Sequence, residues 1–282
     1  MMRVLIACEF SGTVRDAFAA RGHEVWSCDL LPTEKPGLHY QGNVLRILDG
    51  WVPVKYTMEC DPEGDGWCQI TDCDPGECKC YGPTQDEVEY LESEGEIFAR
   101  PIDHPHWDLM IAHPPCTYLT ISAEWAYRYP DFVRYPGVGY HQKVKPETLV
   151  GEPRREARGD AIRFFKHLLN APIERIAIEN PVGVISSRIR KPDQVIQPHQ
   201  FGADASKQTC LWLKGLPLLK ATKQIGPRIV NGKKRWGNQT DGGQNKLTPS
   251  DDRWAERSLT YPGIAAAMAA QWGNTLNDLE SY

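Results

Sequence analysis

The chain has 282 residues, enough to bury a full core, and its 41% hydrophobic and 24% charged side chains exclude a disordered or fibrous protein. No apolar run reaches the roughly 18 residues that a membrane-spanning helix needs, and the N-terminus lacks a secretory signal pattern, so no membrane partner and a cytoplasmic location are expected. The formal net charge of −5 hides an asymmetry: residues 1–120 carry 8 Lys+Arg against 21 Asp+Glu and residues 121–282 carry 24 against 16, which makes the second half suited to a polyanion or simply a solvated basic surface.

Arg3 to Cys8 reads as a buried parallel strand, Glu9-Phe10-Ser11-Gly12 as a loop, and Thr13 to Arg21 as a helix with Val14, Ala17 and Phe18 on its apolar side. Gly22-His23 ends that helix, and Glu24 to Cys28 forms a second strand closing on Asp29. This is a β-loop-α-β unit of the nucleotide-binding type, with an acid placed to accept hydrogen bonds from a ribose. Gly12 is the only glycine of the loop, so the dinucleotide fingerprint is absent. A cofactor with an adenosine but no pyrophosphate, such as S-adenosylmethionine, has less need of that phosphate cradle. A parallel α/β unit without a ligand is the alternative.

Between Tyr56 and about Asp103 the composition shifts to Cys, Asp, Glu and Gly, which marks an insertion over residues 56–104. Nine cysteines in a cytosolic chain point to metal binding or catalysis rather than disulfides. Cys60, Cys68, Cys73, Cys78 and Cys80 lie within 21 residues, without a Cys-x-x-Cys pair. Four thiolates around one structural zinc, with Cys68, Cys73, Cys78 and Cys80 as the favoured set and His104 and His106 as further candidates, would staple a loop too polar for its own core. The other reading is a reduced, metal-free acidic loop.

Asp108 to Ala112 reads as a short buried strand that two prolines stop at His113-Pro114-Pro115-Cys116. A thiol just past the carboxyl end of such a strand faces the ligand crevice and becomes a nucleophile if its pKa is lowered, whereas a buried structural cysteine is the plainer reading. Arg155 to Asn170 has helical spacing, and Arg175 to Ile178 is another buried strand ending at Glu179-Asn180-Pro181. Residues 186–254 are rich in Lys, Arg, Gly, Pro and Gln, with little periodicity beyond Thr209 to Leu213. Their cations, among them Arg188, Arg228, Lys233, Lys234 and Arg235 with Trp236 and Asn238 interleaved, suit phosphates and bases. A final helix runs from Gly263 to Trp272, ahead of Gly273-Asn274.

The order Phe10-Ser11-Gly12, Asp29, Pro115-Cys116, Glu179-Asn180 and Gly273-Asn274 resembles the DNA cytosine-C5 methyltransferase family, particularly its short phage and prophage-type members. The resemblance covers roughly residues 1–55, 105–185 and 255–282. It implies an α/β fold with a Rossmann-like S-adenosylmethionine-dependent methyltransferase sheet, a small second region and a Cys-rich insertion. The catalytic domain would be residues 1–185 plus 255–282, and 186–254 a small basic target-recognition region. It also implies DNA as partner and S-adenosylmethionine as cofactor, lined by Phe10, Ser11, Gly12, Asp29, Pro114 and Asn274. Cys116 would add to cytosine C6, Glu179 would hydrogen-bond the base near N3 and the exocyclic amine, and Asn180 would hold the loop. The chain departs from the family at Thr117, at Pro181, in its single loop glycine, and in having no Gln-x-Arg-x-Arg segment; the nearest stretch offers Lys207 and Gln208. A binding protein on the same scaffold, or C5 modification of another cytosine substrate, stands as the alternative.

Overall fold

A computed structural model describes residues 1–50, 52–53, 88–93, 96–101, 106–121, 124–127, 148–247 and 253–273. In chain order the elements are β1 (Arg3–Ala7), α1 (Thr13–Ala19), β2 (Glu24–Asp29), β3 (His39–Gln41), α2 (Val44–Leu48), β4 (Val52–Pro53), β5 (Val88–Ser93), β6 (Glu96–Pro101) and β7 (Leu109–Ala112). There follow α3 (Glu152–Leu169), β8 (Arg175–Pro181), α4 (Ile185–Arg188), β9 (Gln194–Ile196), β10 (Thr209–Lys214), β11 (Arg228–Val230), β12 (Lys233–Arg235), α5 (Arg253–Ser258) and α6 (Pro262–Trp272). The chain divides into two compact units, Met1–Gly42 with Trp107–Tyr282, and Asn43–His106.

The larger unit holds a seven-stranded sheet in the order β3-β2-β1-β7-β8-β10-β9. Strands β1, β2, β3, β7 and β8 are mutually parallel, and β10 runs antiparallel to both of its neighbours. This mixed α/β architecture is compatible with the expected Rossmann-like sheet. Strands β1 and β7 are buried along nearly their whole length, which is why they read as continuous apolar runs rather than as alternating ones. On one face Val4, Ile6, Leu109, Ile111, Ala177 and Leu211 pack with Val14 and Phe18 of α1 and with Ile264, Met268 and Trp272 of α6. Alternation puts Leu5, Met110, Ile178 and Trp212 on the other face, where Phe165 of α3 meets Trp212 edge-on at 5.1 Å.

The chain steps outward from β1 to β3 and then returns to β7 on the other side of β1. Strand order therefore reverses between β1 and β7, the place where open α/β sheets hold ligands beyond the carboxyl ends of their strands.

Three boundaries differ from the sequence expectation for local reasons. Strand β8 does not stop at Glu179, because β10 pairs with it through Leu211↔Glu179, Cys210↔Asn180 and Thr209↔Pro181. Helix α3 starts at Glu152 rather than Arg155, behind Gly151 at φ 64 and with a proline in its first turn. Residues 228–235, read as unpatterned, form a hairpin whose Asn231 (φ 50) and Gly232 (φ 74) supply the left-handed pair that a tight two-residue turn demands.

In the smaller unit, Asn43 caps α2 by accepting from Leu45 N at 3.0 Å, and β4, β6 and β5 form an antiparallel sheet in that order. Cys60, Cys68, Cys73, Cys78, Cys80 and His104 lie outside the described residues. Among the described residues no group of three or more His, Cys, Asp or Glu could hold a metal ion, and no helix is long and apolar enough to cross a membrane.

Candidate active site

Two adjacent parallel strands bring the reactive groups together. Strands β7 and β8 pair in register up to Ala112↔Ile178, so the next two positions set His113 beside Glu179 and Pro114 beside Asn180. Side chains then cross-link the strand ends: His113 Nδ1 lies 3.1 Å from Glu179 Oε2, and Asn180 Nδ2 donates to the Pro114 carbonyl at 2.8 Å. On the other side His113 N donates to Ala7 O at 2.9 Å, carrying the β1 ladder one residue further. Pro114 and Pro115 have no N–H with which to continue that ladder, so the chain leaves the sheet and presents Cys116 exposed to solvent.

The loop that carries Cys116 is held from three directions. The Cys116 carbonyl accepts from both Leu119 N and Thr120 N at 3.0 Å. Thr120 bridges to Gly183, and Val184 N donates to Leu119 O at 2.8 Å, which zips this loop to the one after β8. Only glycine fits at 183, because a Cβ there would stand 2.1 Å from Leu119 O. From α3, the buried Arg154 guanidinium stacks over Tyr118 and Tyr127 at 5.3 and 4.8 Å, and Arg158 donates to Tyr118 O at 3.0 Å.

Charge is distributed unevenly around the two groups. Burial pushes the Glu179 carboxyl up, but the His113 hydrogen bond, the Lys207 ammonium and the Thr209 hydroxyl outweigh it and hold the pKa below the usual carboxylate range. Lys207 is itself anchored, donating to Arg257 O at 2.7 Å and Leu259 O at 3.3 Å. The Cys116 thiol is shifted the other way. Desolvation raises its pKa first and the Glu179 carboxylate next, against Lys207 and Arg257. At neutral pH the pair is therefore a thiol near a carboxylate.

No protein-family model and no curated protein matches the chain.

At the same sheet edge stands the β1–α1 loop. The buried Glu9 carboxylate accepts from Val14 N at 2.6 Å and Arg15 N at 3.1 Å, with Ser11 Oγ donating to it at 3.3 Å, so the first turn of α1 carries its own counter-ion. Gly12, at φ 66, passes so close to Arg15 that a Cβ would meet the guanidinium at 2.5 Å. That guanidinium is buried and donates to Ser27 Oγ, Thr33 Oγ1 and the carbonyls of Lys35 and Pro36 at 2.9–3.2 Å, which ties the loop after β2 to α1. Asp29 ends β2, with Oδ1 accepting from Leu31 N at 3.0 Å; burial raises its pKa above the usual range. The Phe10 carbonyl accepts from Glu34 N at 2.9 Å.

Of the residues singled out by sequence, the structure thus gathers Cys116, Glu179, Asn180 and Pro114 at one pair of strand ends, and sets Phe10, Ser11, Gly12 and Asp29 at the ends of β1 and β2. Asn274 lies outside the described residues. Sequence reasoning passed over Glu9, Arg15, His113 and Thr209. For His113 the signal was available: two short apolar runs, Leu109–Ala112 and Ile176–Ile178, are each followed at once by a titratable residue.

Proposed function

We propose that the protein transfers a methyl group from S-adenosylmethionine to C5 of cytosine in DNA. The observation that carries this reading is the juxtaposition of Cys116 and Glu179 on cross-linked neighbouring strand ends, next to the β1–α1 loop where strand order reverses. The sheet, doubly wound with one antiparallel strand inserted beside β8, supports the Rossmann-like methyltransferase scaffold that the sequence resemblance implies.

The residues of the β1–α1 loop suit the cofactor. Glu9 already fills the helix N-terminus where a dinucleotide pyrophosphate would sit, so an anion there would meet a carboxylate; a cofactor carrying an adenosine and a sulfonium brings no such conflict. Phe10, Ser11, Gly12, Asp29 and Pro114 would hold it, with Asp29 accepting from the ribose. When bound, it supplies an electrophilic methyl group.

Cytosine C5 is a poor nucleophile, and the chain's own groups are suited to remedy that. The Cys116 thiolate would form a bond to C6, which turns the ring into an enamine whose C5 is electron-rich; once C5 carries the methyl group, loss of its proton to a base would expel Cys116 as thiolate and restore the 5,6 double bond. Glu179 accepts from the exocyclic amine and steadies the charge that builds as sulfur adds. A base engaged on Glu179 also draws that carboxylate's charge away from sulfur, relieving one of the influences that keep the thiol protonated. Asn180, through the Pro114 carbonyl, keeps the nucleophile's loop in place. A target in duplex DNA must leave the stack to reach these groups. Lys233 and Lys234 on the exposed β11–β12 hairpin would meet phosphates.

The test is mass spectrometry of nucleosides from unmethylated DNA incubated with the protein and S-adenosylmethionine, with Cys116→Ser alongside. Cys116-dependent 5-methyldeoxycytidine is expected. Unmodified DNA from a folded, cofactor-binding preparation would overturn the reading in favour of a binding protein or another C5 chemistry.

A further inference from the structure

His113 is the more buried member of its pair with Glu179, its side chain 8% exposed against 13%. Its Nδ1 lies at hydrogen-bond distance from Glu179 Oε2, while Nε2 is buried with no partner. That asymmetry fixes the tautomer. A proton on Nε2 would bury an unpaired N–H, whereas a lone pair there costs less, so the imidazole proton belongs on Nδ1. Glu179 is then the acceptor of the pair. An ionised carboxylate has acceptors only, and it matches an N–H on the base but opposes a carbonyl.

We propose that His113 is the positioning residue that sets base selectivity: by donating from Nδ1 to Glu179 Oε2 it fixes the carboxylate as an acceptor, so the site prefers a pyrimidine with an exocyclic amine over one with a carbonyl at that position. The inference rests on the cytosine reading above. The other groups near Glu179 are the Lys207 ammonium ahead of β10, the Thr209 hydroxyl and Cys210 thiol on β10, and the Cys116 thiol in the loop after β7. Burial and the Glu179 charge both raise the two thiols, which stay protonated across neutral pH. Removing His113 therefore leaves burial freer to put a proton on Glu179, and a protonated carboxyl can donate to a carbonyl.

The experiment compares wild type, His113→Phe and His113→Asn, which keeps a side-chain N–H, on duplexes identical except that one target dC is replaced by dU, from the lowest pH at which each protein stays folded up to pH 8. In His113→Phe the acid limb of the dC rate moves up by about one pH unit and the dC:dU preference falls at least about tenfold, with partial recovery in His113→Asn. An active His113→Phe whose acid limb and preference match wild type overturns the inference. Nitrogen-15 spectra of histidine-labelled wild type test it without any variant's folding: Nδ1–H at neutral pH is expected, and an Nε2–H tautomer overturns it. A wild type that modifies no cytosine instead overturns the functional reading on which the selectivity rests, whatever the tautomer.

Discussion

The two halves of the reactive sheet edge treat buried polar groups in opposite ways. On the β1–β2 side, Glu9 and Arg15 are almost wholly enclosed, yet each spends its hydrogen-bonding capacity inside the protein, on backbone N–H groups, hydroxyls, carbonyls and, for Arg15, the Asp16 carboxylate. On the β7–β8 side, His113 Nε2 and Asn180 Oδ1 are just as enclosed and lack partners, two of only five such atoms among the described residues. Saturated polar groups hold a shape together; unsaturated ones cost stability and persist where something else completes them. On the proposed reading the first side is a preformed seat for the cofactor, and the second is where a base would be received.

That division can be broken or sharpened by substitution. The largest effect belongs to the open side: Cys116→Ser should lower product formation by at least about 10³-fold while leaving the melting temperature within a couple of degrees of wild type, because the thiol is exposed. On the closed side the pattern inverts. Arg15→Ala should cost about 3 kcal/mol by stripping donors from two backbone carbonyls and two hydroxyls, seen as a drop in the denaturant midpoint, with the activity of the remaining folded protein changed far less. If Arg15→Ala abolished turnover in fully folded protein, the division would fail.

Asn180→Ala falls between the two. Losing its bond to Pro114 should cost about 1 kcal/mol in a melt and reduce kcat about tenfold as the Cys116 loop drifts. A smaller and opposite-signed effect tests the coupling of Cys116 and Glu179. Because Glu179 raises the thiol pKa, Glu179→Gln should lower it, so Cys116 alkylation by iodoacetamide at pH 7.5 speeds up by about threefold even as methylation is lost. Unchanged alkylation would mean that desolvation alone sets the thiol. Least of all, Lys233→Ala with Lys234→Ala should leave stability alone and reduce the salt dependence of DNA binding by roughly one to two counter-ions, read from the slope of binding against salt.

Much of this was legible in the chain, and unevenly so. Fully buried strands announce themselves as apolar runs, so β1, β7 and β8 were readable, and with them the positions of Cys116, just past β7, and Glu179, which follows the apolar part of β8. Strands β3 and β9 have three residues each, too few for any period, and the β11–β12 hairpin is built of Arg, Ile, Val and Lys, with only Asn231-Gly232 as a signal. The His113–Glu179 bond depends on register between strands 66 residues apart, which no local pattern encodes. Arg15 looked like an ordinary helix-surface cation, because its partners at 33–36 come from a loop whose path is set only in three dimensions.

The internal counter-ion at the start of α1 has a further consequence for ligand binding. A helix N-terminus with no counter-charge of its own leaves its first amides to water or to a bound anion. Here Glu9 arrives with the same chain and sits only five residues from Val14, the nearer of the two amides it caps, so these amides need no bound small molecule to satisfy them. If the proposed cofactor is right, its binding adds to a seat already complete without it: added S-adenosylmethionine should raise the melting temperature in proportion to the logarithm of its concentration, starting from a chain that is already folded.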